Sequence, residues 1–227
     1  MLEAKVLLIL AAALSQGGGL RDDARELPSS RSAAYVAVGL LAGGVCFVAG
    51  DPGENLEGAP VLEETARLTN VYGGSSFNLP VSIGIWAAGR VTGGRSFEEV
   101  GGGLTRALTL TQLVVAPIKL ATRRQRPDGS DRLSFPSGHT ANAFAVARLI
   151  QCHYGGRWAA PLYLVGALTA AGRLEDSRHY LSDVLMGAAV GLAVGSSVGV
   201  GGNSSSRFAL LPASAGAGLI VRLQTGW

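Results

Sequence analysis

Three short stretches of this chain hold residue types that can handle a phosphate. The first is Lys119-x6-Arg126-Pro127, the second Pro136-Ser137-Gly138-His139, and the third Arg173-x5-His179-x3-Asp183. Lys119, Arg126 and Arg173 are three cations suited to a dianion with several oxygens, and guanidinium forks match phosphate geometry bidentately. Ser137 and Gly138 open an apolar run, ANAFAVARLI, that reads as a helix. Amides at a helix start point outward and favour an anion there. A glycine at that place lets the anion approach the backbone.

Two of the chain's three histidines flank this cradle. His179 and Asp183 stand four residues apart, on one face of a helix that includes both. A carboxylate there can hold one imidazole N–H and leave the other nitrogen free to attack. His139 can donate a proton to a departing alcohol. With ordinary pKa values near 6.5, a neutral nucleophile and a protonated acid are both accessible near neutral pH. His153 belongs to no motif and is expected to end a helix. Each stretch has a plainer reading by itself: a solvated basic loop, a helix N-cap, a local helix pair. Their joint order and spacing favour the phosphate site.

In that order the three stretches resemble the type 2 phosphatidic acid phosphatase (PAP2) superfamily, which includes bacterial class A acid phosphatases and vanadium haloperoxidases. Its motifs are KxxxxxxRP, PSGH and SRxxxxxHxxxD. The resemblance spans about residues 61–201, with Gly172 standing where the family usually has Ser. It implies an all-α bundle and a phosphatase that forms a phosphohistidine at His179. Asp183 would orient that histidine. His139 would protonate the leaving group and then activate water, while Lys119, Arg126, Ser137, Gly138 and Arg173 bind the phosphoryl oxygens. It implies no metal and no cofactor, and the sequence shows no cluster at metal-ligand spacing. Hydrolysis of a lipid phosphate or pyrophosphate leads the alternatives. They are a periplasmic acid phosphatase, a haloperoxidase with vanadate on His179, and a non-catalytic membrane or anion-binding protein.

The elements that must position these residues are written in a composition of 227 residues, 48% hydrophobic and only 15% charged, with 33 glycines. Length suits one domain. A net charge of +3 gives no case for nucleic acid. Cys46 and Cys152 make neither a disulfide framework nor a zinc site and are expected to be buried. Residues 1–16 read as a signal-type apolar segment, MLEAKVLLILAAALSQ. Residues 17–32 read as linker, 33–203 as the helical domain, and 204–227 as a tail that can form a short β-hairpin.

Within the domain about six helices are expected. They cover 33–50, 79–92, 104–118, 139–154, 158–171 and 180–200, with a loop at 51–60 and an amphipathic surface helix over 61–72. Only 33–50 and 184–201 approach the charge-free length of a membrane span, because Arg90, Arg106 and Arg148 interrupt three others. Starting inside, alternating spans put 119–138 and 172–183 together outside. A cleaved signal with a periplasmic bundle also exports the site. Phe135, Phe144 and Trp158 could seat a lipid tail or belong to the core. Glycines 187, 191, 195 and 199 repeat every four residues, which sets one stripe of a helix for close approach of another backbone.

Overall fold

The computed structural model describes residues 14, 19–51, 71–202, 206–212 and 219–225. Among the described residues there are seven helices: α1 (Gly19–Glu26), α2 (Ser30–Val48), α3 (Ser75–Thr92), α4 (Arg95–Thr122), α5 (Gly138–Tyr154), α6 (Gly156–Glu175) and α7 (Leu181–Gly202). The six helices of the expected bundle are α2 to α7. Strands β1 (Ser206–Pro212) and β2 (Leu219–Thr225) pair antiparallel, with Ser206 opposite Thr225. The apolar segment 1–16 (apart from Leu14) and all but the ends of the loop at 51–60 and the amphipathic helix at 61–72 lie outside the described residues; residues 71–73 are helical.

Local signals set the helix limits. The Ser29 hydroxyl caps α2 by accepting from Ser32 N–H, and the Ser137 hydroxyl caps α5 by accepting from Thr140 N–H. Gly93 closes α3 at φ 73°, a left-handed conformation that glycine adopts at no steric cost. α4 runs for 28 residues, well beyond the expected 104–118, and α6 for 20 rather than the expected stretch 158–171.

α7 is the hub, packed against α2, α4 and α5, while α3 packs on α4 and α6 on α5. Among the described residues, three helices are long and apolar enough to cross a membrane: α2 over Arg31–Val48, α4, and α7 over Leu181–Gly199. Burial ranks them: 78% of the α7 window lies inside the protein against 17% of the α2 window. On α2 the outward residues are Leu41, Val45, Phe47 and Val48, all at least 66% exposed.

Three expectations are corrected here. The stretch 17–32 is not a simple linker, because α1 occupies Gly19–Glu26. Its Asp23 enters the bundle and accepts from Arg106 Nε at 2.6 Å, and both side chains are at most 5% exposed. That contact pairs the Arg106 charge inside the fold, and α4 is long and apolar enough to span despite the charge expected to interrupt it. Cys46 and Cys152 are free and only partly buried, and Trp158 is 60% exposed rather than a core residue.

The glycine stripe does what its spacing implied. A methyl built on Gly187 would lie 2.5 Å from Ser137 O, on Gly191 2.3 Å from Ala141 O, and on Gly195 2.6 Å from Ala145 O. Contact positions rise together along both helices, so α5 and α7 run parallel and start side by side. This direction follows from α6 returning the chain between them.

Candidate active site

The parallel pair places two helix N-termini at one end of the bundle. Ser137, just before α5, donates its backbone N–H to Asp183 O at 2.9 Å, which ties the two starts together. The positive ends of both helix dipoles therefore face the same region. His139 sits in the first turn of α5 and Asp183 in the first turn of α7.

His179 precedes α7 by two residues. Its backbone N–H donates to Arg173 O at 3.2 Å, and that of Arg178 to the same oxygen at 3.1 Å. This double anchor fixes the short connection between α6 and α7. The imidazole is 2% exposed, and its Nδ1 lies 3.6 Å from Asp183 Oδ2. That separation is an ion-pair distance, longer than a hydrogen bond. With Nδ1 turned to the carboxylate, Nε2 is the nitrogen left for attack.

The Asp183 side chain is fully buried and multiply held. Oδ1 accepts from Arg124 at 2.7 Å, and Oδ2 accepts from the Ser134 hydroxyl and from Tyr180 N–H at 2.9 Å. Arg124 and Ser134 were not singled out by sequence reasoning. Arg124 lies in the variable stretch between Lys119 and Arg126, and Ser134 has no fixed spacing to Asp183. Only the fold pairs them.

The three cations converge from separate elements. Lys119, in the last turn of α4, donates to Leu133 O and Ser134 O, the latter at 3.4 Å. Arg126 donates from Nε to Asp131 at 2.7 Å and from a terminal nitrogen to Arg178 O at 3.2 Å. The Arg126 contact holds the Asp131 carboxyl below its ordinary range. Arg173, in the last turn of α6, is 7% exposed and lies 3.4 Å from Asp176. The loop after α4 and the loop before α7 are stitched by Asp128 N–H to Ser177 O at 2.9 Å.

Ser137 is buried, with its hydroxyl accepting from Thr140 Oγ1 at 3.0 Å as well as capping α5. Its N–H is spent on Asp183, so it is not one of the outward-pointing amides expected at this helix start. A methyl on Gly138 would meet Val115 at 3.6 Å and Lys119 Cε at 4.0 Å, ordinary contacts. Protein packing therefore does not demand glycine at 138.

Gly73 closes the other side. A methyl there would lie 2.9 Å from both His139 Cβ and Thr169 Cγ2. Asn142 holds this wall in place, donating to Gly73 O and Ser75 Oγ at 3.0 Å each.

Electrostatics alter the sequence expectation for both histidines. Burial, then the charges of Arg173, His179, Arg126 and Lys119, push His139 from 6.5 down to about 4. Burial also pushes His179 down to about 4, outweighing the raising effect of Asp183. Both imidazoles are therefore neutral at pH 7. For His179 this suits attack. For His139 it means that protonation needs a negative charge brought into the cradle.

The site thus combines three cations, two helix N-termini, a neutral buried imidazole with a carboxylate behind it, and a second imidazole one helix away. It can bind an oxyanion, attack it, and protonate or deprotonate an oxygen beside it. His153 is not part of it: its Nδ1 lies 3.1 Å from Leu149 O at the end of α5.

Comparison with known proteins gives concordant results. The family model described as the PAP2 superfamily matches residues 102–198, which include every one of these motif residues. A Lipid A 1-phosphatase of Porphyromonas gingivalis is 48% identical over 80 residues, 34% of this chain and 18% of that protein. A PA-phosphatase related-family protein of Dictyostelium discoideum is 28% identical over 127 residues, 44% of this chain and 47% of that protein. The chain spans less than half the length of these curated relatives. Among solved structures, the transmembrane PAP2-type phosphatidylglycerolphosphate phosphatase of Bacillus subtilis superposes with a TM-score of 0.61 at 22% identity. That match covers 74% of this chain and 94% of the other. LpxE of Aquifex aeolicus superposes with a TM-score of 0.52 at 25% identity, over 63% of this chain and 87% of that one.

Proposed function

We propose that this chain, a member of the PAP2 superfamily through residues 102–198, is a membrane-bound phosphatase that hydrolyses lipid phosphates or pyrophosphates through a phosphohistidine. The observation that carries this reading is the buried His179 backed by Asp183 beside the cations Lys119, Arg126 and Arg173. Lys119, Arg126 and Arg173 hold the phosphoryl oxygens with the Gly138 end of α5. His179 Nε2 attacks phosphorus, and Asp183 holds the proton side of the ring. His139 gives its proton to the leaving oxygen. It then takes one from water, whose oxygen attacks the phosphohistidine and releases inorganic phosphate and free His179. The fixed cations stabilise charge as it develops.

The apolar outward face of α2 and the three helices of spanning length support placement in a membrane. The two catalytic loops lie at one end of the bundle, so they face one side. We place that side outside the cell, following the alternation of the six helices α2 to α7 from a cytoplasmic start.

The test is phosphate release from p-nitrophenyl phosphate and from a panel of lipid phosphates, by the full chain in detergent. Activity is expected to persist in EDTA and to be blocked by vanadate. EDTA-sensitive release would refute the reading. Halide oxidation dependent on added vanadate and peroxide would move the chain to haloperoxidase chemistry.

The pH dependence follows from His139. The protonated fraction of a group with a pKa near 4 falls tenfold per unit above it. A bound phosphate dianion opposes the surrounding cations and raises that pKa. The profile of kcat/KM, which reports the free enzyme, is expected to peak on the acid side, below about pH 6. The alkaline limb of kcat should lie at higher pH than that of kcat/KM. A kcat/KM that rises between pH 7 and 8 would contradict the assigned proton donor.

A further inference from the structure

Behind the carboxylate that faces His179 is a buried charge bridge that none of the three motifs includes. Arg124 spans two carboxylates. One terminal nitrogen donates to Asp183 Oδ1 at 2.7 Å and to Ser182 Oγ at 2.5 Å, and the other donates to Asp51 Oδ2 at 2.7 Å. Asp51 in turn accepts from Ser182 N–H at 3.0 Å and from the Ser182 hydroxyl. Exposures of 20% for Arg124, 6% for Asp51 and 0% for Asp183 place the bridge largely out of water. The guanidinium stacks 4.0 Å from the Tyr180 ring centroid, with Phe47 at 5.5 Å on α2.

The bridge has a direction. Asp51 closes the turn after α2, at φ 47°, a left-handed conformation that Asp tolerates better than most residues. It is held there by its N–H donating to Cys46 O at 2.7 Å. The end of α2 is thereby fixed to Arg124, and Arg124 to one oxygen of Asp183. Ser134 and Tyr180 N–H hold the oxygen that faces His179, and Arg124 holds the other. With both oxygens held, the carboxylate plane is fixed, and Arg124 supplies the anchor on the side away from His179.

Resting on the phosphatase reading above, we propose that Arg124, locked by Asp51, is a positioning residue that sets the Asp183 carboxylate against His179. The end of the first spanning helix thus governs the geometry of the nucleophile. Arg124 touches no reacting atom in this scheme: its three acceptors are all protein oxygens, and the phosphate cations are Lys119, Arg126 and Arg173. A misplaced carboxylate lowers the rate of attack without weakening the hold on phosphate, so the effect falls on kcat. Lysine cannot replace the fork, because one ammonium cannot reach two carboxylates with fixed planar geometry.

The experiment measures kcat and KM for p-nitrophenyl phosphate with the full chain in detergent micelles. Arg124→Ala is expected to lose about 100-fold or more in kcat with KM within about twofold. Arg124→Lys should recover part of that loss. Asp51→Asn keeps a residue that accepts φ 47° and removes the charge; it should lose about tenfold, again in kcat. In the Arg124→Ala background Asp51→Asn should add nothing, because the pair acts as one unit. Arg90→Ala, which breaks an exposed pair with Glu98, should match wild type.

Wild-type kcat in Arg124→Ala and Asp51→Asn would overturn the proposal. So would a loss carried by KM, which would make Arg124 a substrate contact. If Arg124→Ala does not fold, Arg124→Lys and Asp51→Asn decide by the same criterion. A wild-type protein without activity, or one matched by His179→Ala, would instead remove the phosphatase reading itself.

Discussion

His179→Ala is expected to abolish phosphate release, by roughly 10⁴-fold or more in kcat, as removal of a nucleophile does elsewhere. That is about 5.5 kcal/mol of barrier at 1.36 kcal/mol per tenfold. The side chain is 2% exposed and its Nδ1 faces Asp183, so the truncation leaves a buried carboxylate without its imidazole. Arg124, Ser134 and the Tyr180 amide still hold that carboxylate, so the fold should survive. The discriminating measurement is acid-labile ³²P label on the protein after rapid quench. Wild type should carry it and His179→Ala should not. With p-nitrophenyl phosphate, whose leaving group needs no proton, His139→Ala should still take up label, because in the proposed mechanism His139 is then required only to activate water. Label on an active His179→Ala protein would assign the nucleophile elsewhere.

The second large effect concerns a residue far from any reacting atom. Gly191→Ala is expected to lower both stability and rate. The new methyl would sit 2.3 Å from Ala141 O and 2.9 Å from Ala145 N, backbone atoms of α5 that cannot turn aside as a side chain can. Overpacking of this kind costs about 1–3 kcal/mol, which the gain in helix propensity of about 1 kcal/mol does not offset at such a distance. Relief must come from separating α5 and α7. That separation acts on the site, because His139 begins one helix and Asp183 the other. A displacement near 1 Å can cost about 100-fold in rate. Thermal unfolding in detergent and kcat should therefore fall together in Gly191→Ala. Gly44→Ala is the control: a methyl at Gly44 meets nothing within 4 Å, so stability and rate should hold or improve slightly. Unchanged kcat in a folded Gly191→Ala protein would show that the seam does not set the site.

Much of the proposed site was legible in the sequence, because holding and attacking a phosphate would constrain residue type and local spacing together. Lys119 and Arg126 share one helix end and loop, Ser137 to His139 one helix start, and His179 and Asp183 one loop-to-helix junction. Each constraint acts over fewer than ten residues, where sequence distance and spatial distance agree. The all-α class followed in the same way from long apolar runs, and the close helix seam from glycines four apart. Local pattern also sufficed to mark where most helices lie, though not where they end. α4 extends to 28 residues, and its Arg106 is paired inside the fold with Asp23, a partner 83 residues away in sequence.

What only the tertiary structure decided depends on contacts between distant residues. The parallel run of α5 and α7 brings two helix starts to one place, and no residue states it; the length and return of α6 impose it. Asp51 lies 131 residues from Ser182 and 73 from Arg124, so no local period connects the bridge that holds Asp183. The neutral state of both histidines is likewise a property of burial, which depends on every helix packed around them. The sequence alone specified which groups could react. Their separation, their protonation and the orientation of the carboxylate towards His179 arise from packing, because these depend on distances that the chain acquires only when folded.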